Sequence, residues 1–158
     1  MKKILFTLAL LVSFNFFGQS KEAINYYNLG GEFYNIMASA EPKPDVMTYD
    51  EVYEKSYDYY SKAIEINANY EQAYYFRALL QHNFGSNYYG AISDSSRAIE
   101  LNPDDSDYFS LRAISKIALK DYKSAIDDYT KAISVNPLNP WYWKGRAELK
   151  QKLGNNEG

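Results

Sequence analysis

Residues 121–137 read DYKSAIDDYTKAISVNP, and the stretch recurs. Residues 87–103 read NYYGAISDSSRAIELNP, and residues 52–68 read VYEKSYDYYSKAIEINA. Small or bulky residues occupy matching places at i, i+4 and i+7: Ala125, Tyr129, Ala132; Ala91, Ser95, Ala98; Ser56, Tyr60, Ala63. That spacing places each trio on one face of a helix. A small–large–small stripe lets a neighbouring helix approach closely around one bulky side chain. Each segment ends in Asn136-Pro137, Asn102-Pro103 or Asn67-Ala68. Proline cannot continue a helix and pushes the preceding residue out of α geometry. Ala91 to Ala125 and Pro103 to Pro137 are both 34 residues apart.

A second helix precedes each of these. YYFRA at 74–78, YFSLRA at 108–113 and YWKGRA at 142–147 carry Arg77, Arg112 and Arg146, spaced 35 and 34 residues apart and each followed by alanine. The extra residue in the first interval fits the longer turn His82–Asn87. Tyr26-Tyr27-Asn28-Leu29-Gly30-Gly31 plays the same part upstream, with Gly30 in place of alanine.

A 34-residue helix–turn–helix unit with a small–aromatic–small–Pro pattern resembles the tetratricopeptide repeat. The form matched has Tyr-x-x-Arg-Gly/Ala in its first helix and Asp-Tyr-x-x-Ala-Ile-x-x-Tyr-x-x-Ala-Ile-x-x-Asn-Pro in its second. Residues 108–137 follow it nearly throughout, residues 70–103 with Ser95 for the aromatic, and residues 22–68 less closely. The resemblance implies an all-α fold, an α–α superhelix built as a right-handed solenoid of antiparallel helix pairs. One pair cannot bury its apolar face alone, so about three stack and a cap closes the end.

Residues 1–20 are a separate object. Lys2 and Lys3 precede an apolar run from Ile4 to Phe17, followed by Gly18-Gln19-Ser20. This is the three-part pattern of a secretory signal peptide. Its 14 apolar-region residues would span about 21 Å as a helix, short of a hydrocarbon core of about 30 Å. Cleavage is expected between Gly18 and Lys21, best after Ser20, with no stable membrane insertion afterwards. The reading is an exported protein, periplasmic or secreted. The domain plan is signal peptide 1–20, helical repeats 21–153 (22–68, 70–103 and 106–137, then a capping helix 140–153) and a frayed tail 154–158.

The first repeat is split by an insert around Pro42-Lys43-Pro44, so its first helix should end near Ala40. Thr48 with Glu51 forms a capping box that starts the second. Asn139 should cap the last helix, with Pro140 at its first position.

Chemistry is sparse. The sequence has no cysteine and one histidine, His82, which without a partner reads as a groove or surface residue. Asp104-Asp105 and Asp127-Asp128 read as capping and solvated residues. No phosphate loop, metal motif or nucleophile elbow is present. No cofactor, metal or catalytic residue is expected, and the chain reads as a non-enzyme. Without residues 1–20 it carries 15 basic and 20 acidic side chains, net −5, which argues against nucleic acid. Arg77, Arg112 and Arg146 are expected to bridge helix ends or neighbouring repeats, with packed stems and wetted heads. Seventeen tyrosines exceed what a repeat core uses, and tyrosine is an interface residue.

The family resemblance implies that first helices line a concave face where peptides dock. That face maps onto Tyr27 and Tyr34; Gln72, Tyr75, Leu79 and His82; Ser110, Ile114 and Ile117; and Lys144 with Glu148. Some family members clamp terminal carboxylates with Lys, Arg or Asn. Here those places hold Tyr27, Gly31, Tyr75, Leu79, Ser110 and Ile114, so acidic tails are not the expected ligand. The leading reading is a protein–protein interaction scaffold of the cell envelope that holds an apolar or aromatic segment. Two others stay open: glycan binding by surplus tyrosines, and an accessory subunit that forms homo-oligomers through its first repeat or the 41–50 insert.

Overall fold

A computed structural model describes residues 2–38 and 48–154. The insert at 39–47, with the expected helix end near Ala40, and residues 155–158 lie outside the described residues. The helices are α1 (Lys2–Ala38), α2 (Tyr49–Ile66), α3 (Glu71–Asn83), α4 (Tyr88–Leu101), α5 (Ser106–Ala118), α6 (Tyr122–Val135) and α7 (Pro140–Gly154). No strand occurs among the described residues, and the fold is all-α. The backbone runs without interruption from the expected leader into the first repeat helix. Among the described residues no helix is long and apolar enough to cross a membrane.

The starts and stops follow from local chemistry. Thr48 and Glu51 form a reciprocal capping box, with Thr48 N–H donating to Glu51 at 2.7 Å and Glu51 N–H to Thr48 Oγ1 at 3.3 Å. The Thr48 N–H and hydroxyl, both donating to the Glu51 carboxylate, hold it below its usual range. Asn87 and Asp121 cap α4 and α6 by accepting the Gly90 and Ser124 N–H groups, and Asn139 caps α7 by accepting that of Trp141. Asp105 caps α5 through Asp107 N–H at 2.9 Å, as the acidic pair predicts. The C-termini share one geometry. Asn67, Asn102 and Asn136 have φ near −134°, −143° and −131° with ψ near 90°. Each side chain then accepts a backbone N–H two residues on. Asparagine, an Asx-turn former, makes the stop, so Ala68 serves as well as Pro103 or Pro137.

The chain divides into two compact units after Ala73, in the first turn of α3. In the first unit α1 packs on α2. Gly30 makes this possible: a Cβ there would lie 2.8 Å from the Tyr60 ring, which is fully buried. Ser56 Oγ donates to the Gly30 carbonyl at 2.9 Å. The surrounding joint is aromatic. Tyr26 and Phe33 lie 6.1 and 5.6 Å from Tyr59, and Lys62 sits over Tyr26 and Tyr59.

In the second unit α4 packs on α5, α5 on α6 and α6 on α7. The core gathers Phe109, Ala113, Ala125, Tyr129, Ala132, Ile133, Tyr142 and Leu149. Here the helix pairs close over ion pairs. Arg77 grips Asp94 through Nε at 2.8 Å and Nη2 at 2.7 Å, and Gln81 donates to the same carboxylate at 2.6 Å. Arg112 grips Asp128 at 3.0 and 2.6 Å, and Lys116 completes it at 2.7 Å. Two sequence expectations are corrected. Asp128 is buried rather than solvated, because two cations converge on it from α5. The heads of Arg77 and Arg112 are paired with carboxylates rather than wetted. The bridge to a neighbouring repeat does occur: Arg112 Nη1 donates to Ser96, and Arg146 Nη1 to Thr130.

Candidate interaction site

The residues mapped to a docking face fall into separate settings. In the first unit, Tyr27 sits between Tyr60 and Tyr70, with ring centroids 6.0 and 5.0 Å away. Burial raises the Tyr27 hydroxyl above its ordinary value and pushes Tyr70 up to about 12. Tyr34 is half-buried and Gln72 is exposed.

In the second unit, Tyr75 and Leu79 pack against Ala78, Ala91 and Leu111, and the Tyr75 ring lies 5.0 Å from Tyr108. Both are half-buried. His82 Nδ1 lies 3.0 Å from Ser115 Oγ, whose proton goes to the Leu111 carbonyl at 2.9 Å. The imidazole therefore donates through Nδ1. Burial lowers its pKa, and its ring meets Tyr88 edge-on at 5.4 Å. Ile117 packs against the main core.

Ser110, Ile114, Lys144 and Glu148 do come together. They line an open cavity of about 340 Å³ with Tyr129, Trp141 and Gly145. Its walls are α5, α6 and α7. Gly145 brings α7 close: a Cβ there would lie 2.7 Å from Tyr129 Cζ. Burial, with the nearby Glu148 carboxylate, raises the Tyr129 hydroxyl pKa. Trp141 is 70% exposed, with the Lys144 ammonium 5.5 Å from its ring centroid. Lys144 and Glu148 stand 3.9 Å apart and mostly exposed, a pair that contributes little stability and stays available to a ligand. Sequence reasoning missed Trp141, Tyr129 and Gly145. The signal was a tryptophan one turn before Lys144, on the face of α7 that also carries Glu148.

Among the described residues, no group of three or more His, Asp or Glu side chains is placed to hold a metal ion.

Residues 107–137 match the tetratricopeptide repeat family. The match spans α5, α6 and the turns beside them, the pair closed by Arg112 and Asp128. No curated protein sequence matches the chain. Solved tetratricopeptide domains share its fold. The first TPR domain of human RPAP3 is 19% identical, with a TM-score of 0.71 over 87% of this chain and 97% of that one. The second TPR domain of human RPAP3, in complex with the HSP70 peptide SGPTIEEVD, is 19% identical, with a TM-score of 0.70 over 84% and 98%. The Sgt2 TPR domain from Aspergillus fumigatus is 23% identical, with a TM-score of 0.69 over 85% and 83%. At these identities the likeness is one of fold, the α–α superhelix class.

Proposed function

We propose that this chain is a non-catalytic interaction module that binds a segment of another protein, with the α5–α6–α7 cavity as an anchoring pocket. One observation carries the reading: the cavity of about 340 Å³ is formed by first-helix residues Ser110 and Ile114 together with Trp141. That volume lies at the small end of the ligand-pocket range, about 300–1,000 Å³, and suits a bulky apolar or aromatic side chain. An aliphatic and two aromatic walls supply apolar contact, while Ser110, Lys144 and Glu148 can meet a peptide backbone. The comparison domain of human RPAP3 holds an acidic peptide. At the places implied for a carboxylate clamp this chain carries Tyr27, Gly31, Tyr75, Leu79, Ser110 and Ile114, none of them cationic. An apolar or aromatic segment is therefore the ligand class, not an acidic tail.

The leader-like 1–20 pattern supports export, and with it a partner in the cell envelope. N-terminal sequencing of the exported protein is expected to begin at Lys21; a start at Met1 would remove that part of the reading. The binding reading is tested by capture from solubilised envelope extract, native chain beside Trp141→Ala/Lys144→Glu. These exposed positions leave the core intact. A partner retained by the native chain and lost by the variant is expected; equal retention would refute the cavity assignment.

Glycan binding keeps one supporting observation. Trp141 is 70% exposed beside Ser110, Lys144 and Glu148, a stacking platform ringed by hydrogen-bonding groups. Polysaccharide pull-down with the same variant separates the two readings.

A further inference from the structure

The same four-position cassette occurs three times, and its third occurrence is uncovered. On α3 it is Tyr74, Arg77, Ala78 and Gln81; on α5 it is Phe109, Arg112, Ala113 and Lys116; on α7 it is Trp143, Arg146, Ala147 and Lys150. In each, the guanidinium lies over the aromatic ring three residues before it, at 5.8, 5.9 and 4.8 Å. On α3 and α5 the alanine is completely buried under the following helix. The arginine and the fourth residue then grip one aspartate of that helix, Asp94 or Asp128. On α7, Ala147 and Lys150 are exposed and Trp143 is 47% exposed. Arg146 keeps the contact its counterpart makes with the preceding helix: Arg112 bonds Ser96 and Arg146 bonds Thr130. Neither Arg146 nor Lys150 forms an ion pair among the described residues.

The aspartate goes with the arginine. In the α1–α2 pair the arginine register position holds Leu29, and the aspartate position holds Tyr59. Arginine on the first helix thus coincides with a carboxylate on the second, and leucine with an aromatic. The helices that cover the cassette also share a pattern: Ala91, Asp94, Ala98 and Ala125, Asp128, Ala132.

We infer that the Trp143–Arg146–Ala147–Lys150 face of α7 is a docking surface for an amphipathic helix of a partner protein, with the pattern Ala-x-x-Asp-x-x-x-Ala. Its aspartate would take the two donors as Asp128 takes Arg112 and Lys116, and its alanines would let the backbones approach over Ala147. The Trp143 indole N–H donates to the Pro137 carbonyl at 2.9 Å, which fixes the ring beside Arg146 while leaving it 47% exposed. A folded second copy cannot supply the docking helix, because Asp94 and Asp128 are already engaged. The surface lies on the side of α7 away from the cavity residues Trp141, Lys144, Gly145 and Glu148, so it does not depend on the cavity reading.

Both tryptophans of the chain lie on α7, so intrinsic emission reports this helix directly. The probe is the peptide of residues 121–137, which lacks tryptophan, held helical by a lactam between Lys123 and Asp127. Titrated into the full chain with Trp141→Phe, it should blue-shift Trp143 saturably. Asp128→Asn in the peptide should weaken binding roughly tenfold, as for loss of a charge-assisted hydrogen-bonded pair. Arg146→Gln in the protein should cost the same and make the Asn peptide no worse. A second format appends residues 119–137 after Leu153, and the melting temperature should rise only when the appended Asp128 is retained. No shift and no rise in either format overturns the proposal, as does binding indifferent to Asp128→Asn or to Arg146→Gln.

Discussion

The α1–α2 and α5–α6 pairs pack through the same register with opposite chemistry. Around α1 and α2, Tyr60 is fully buried against Gly30, and Tyr26, Phe33 and Tyr59 cluster beside it. Between α5 and α6, Arg112 and Lys116 converge on Asp128, whose side chain is 4% exposed. The two solutions differ in what they tolerate. Burial of apolar surface is non-directional and degrades by degrees. A buried carboxylate with two cations fixes one register, and fails abruptly when one member is removed.

The largest expected effect breaks the ionic joint. Asp128→Ala leaves Arg112 and Lys116 without their carboxylate and should cost about 3–5 kcal/mol in urea unfolding. Importing the other solution, Arg112→Leu with Asp128→Tyr, should recover most of that loss; no recovery would show that the two joints are not interchangeable. Next comes the aromatic joint. Gly30→Ala drives a methyl against the Tyr60 ring and should cost about 1–3 kcal/mol, measured the same way. A smaller change has the opposite sign. Ser86 and Lys120 occupy equivalent turns at φ 49° and 63°, where a side chain is strained. Lys120→Gly should therefore stabilise the α5–α6 pair by about 0.5–1 kcal/mol, seen as a higher urea midpoint.

The smallest effect is pH dependence through His82. Its folded pKa is depressed by burial, so below about 6.5 the unfolded chain takes up the proton first. Stability should therefore fall as pH drops beneath that value and be unaffected above it. His82→Gln should flatten the difference between urea midpoints at pH 7.5 and 5.5.

Much of the fold was legible because the repeat writes its own boundaries. The 34-residue spacing, the Thr48–Glu51 box and the Asn139-Pro140 start are local signals that need no tertiary context. The Asn stop was read partly through proline, although Ala68 shows that the asparagine suffices. The ionic joints were not read. Asp127 and Asp128 are sequence neighbours, whereas the informative interval links Arg112 to Asp128 and Arg77 to Asp94, 16 and 17 residues on. The cavity was half legible. Ser110, Ile114 and Lys144 follow from the family register and meet at the cavity, while Tyr75, Leu79 and Ile117 lie half-buried elsewhere in the second unit. Trp141 is not legible because the lysines of the last helix mark it as a cap with a wetted face.

The most direct test of the binding account sets two peptides against each other on the full chain, followed by tryptophan emission. One is SGPTIEEVD, the acidic peptide held by the human RPAP3 domain. The other is the same sequence with its three acids changed to phenylalanine and its C-terminus amidated. The account predicts saturable binding of the aromatic peptide, lost in Trp141→Ala/Lys144→Glu, and negligible binding of the acidic one. Tight, salt-sensitive binding of the acidic peptide with none of the aromatic would contradict it.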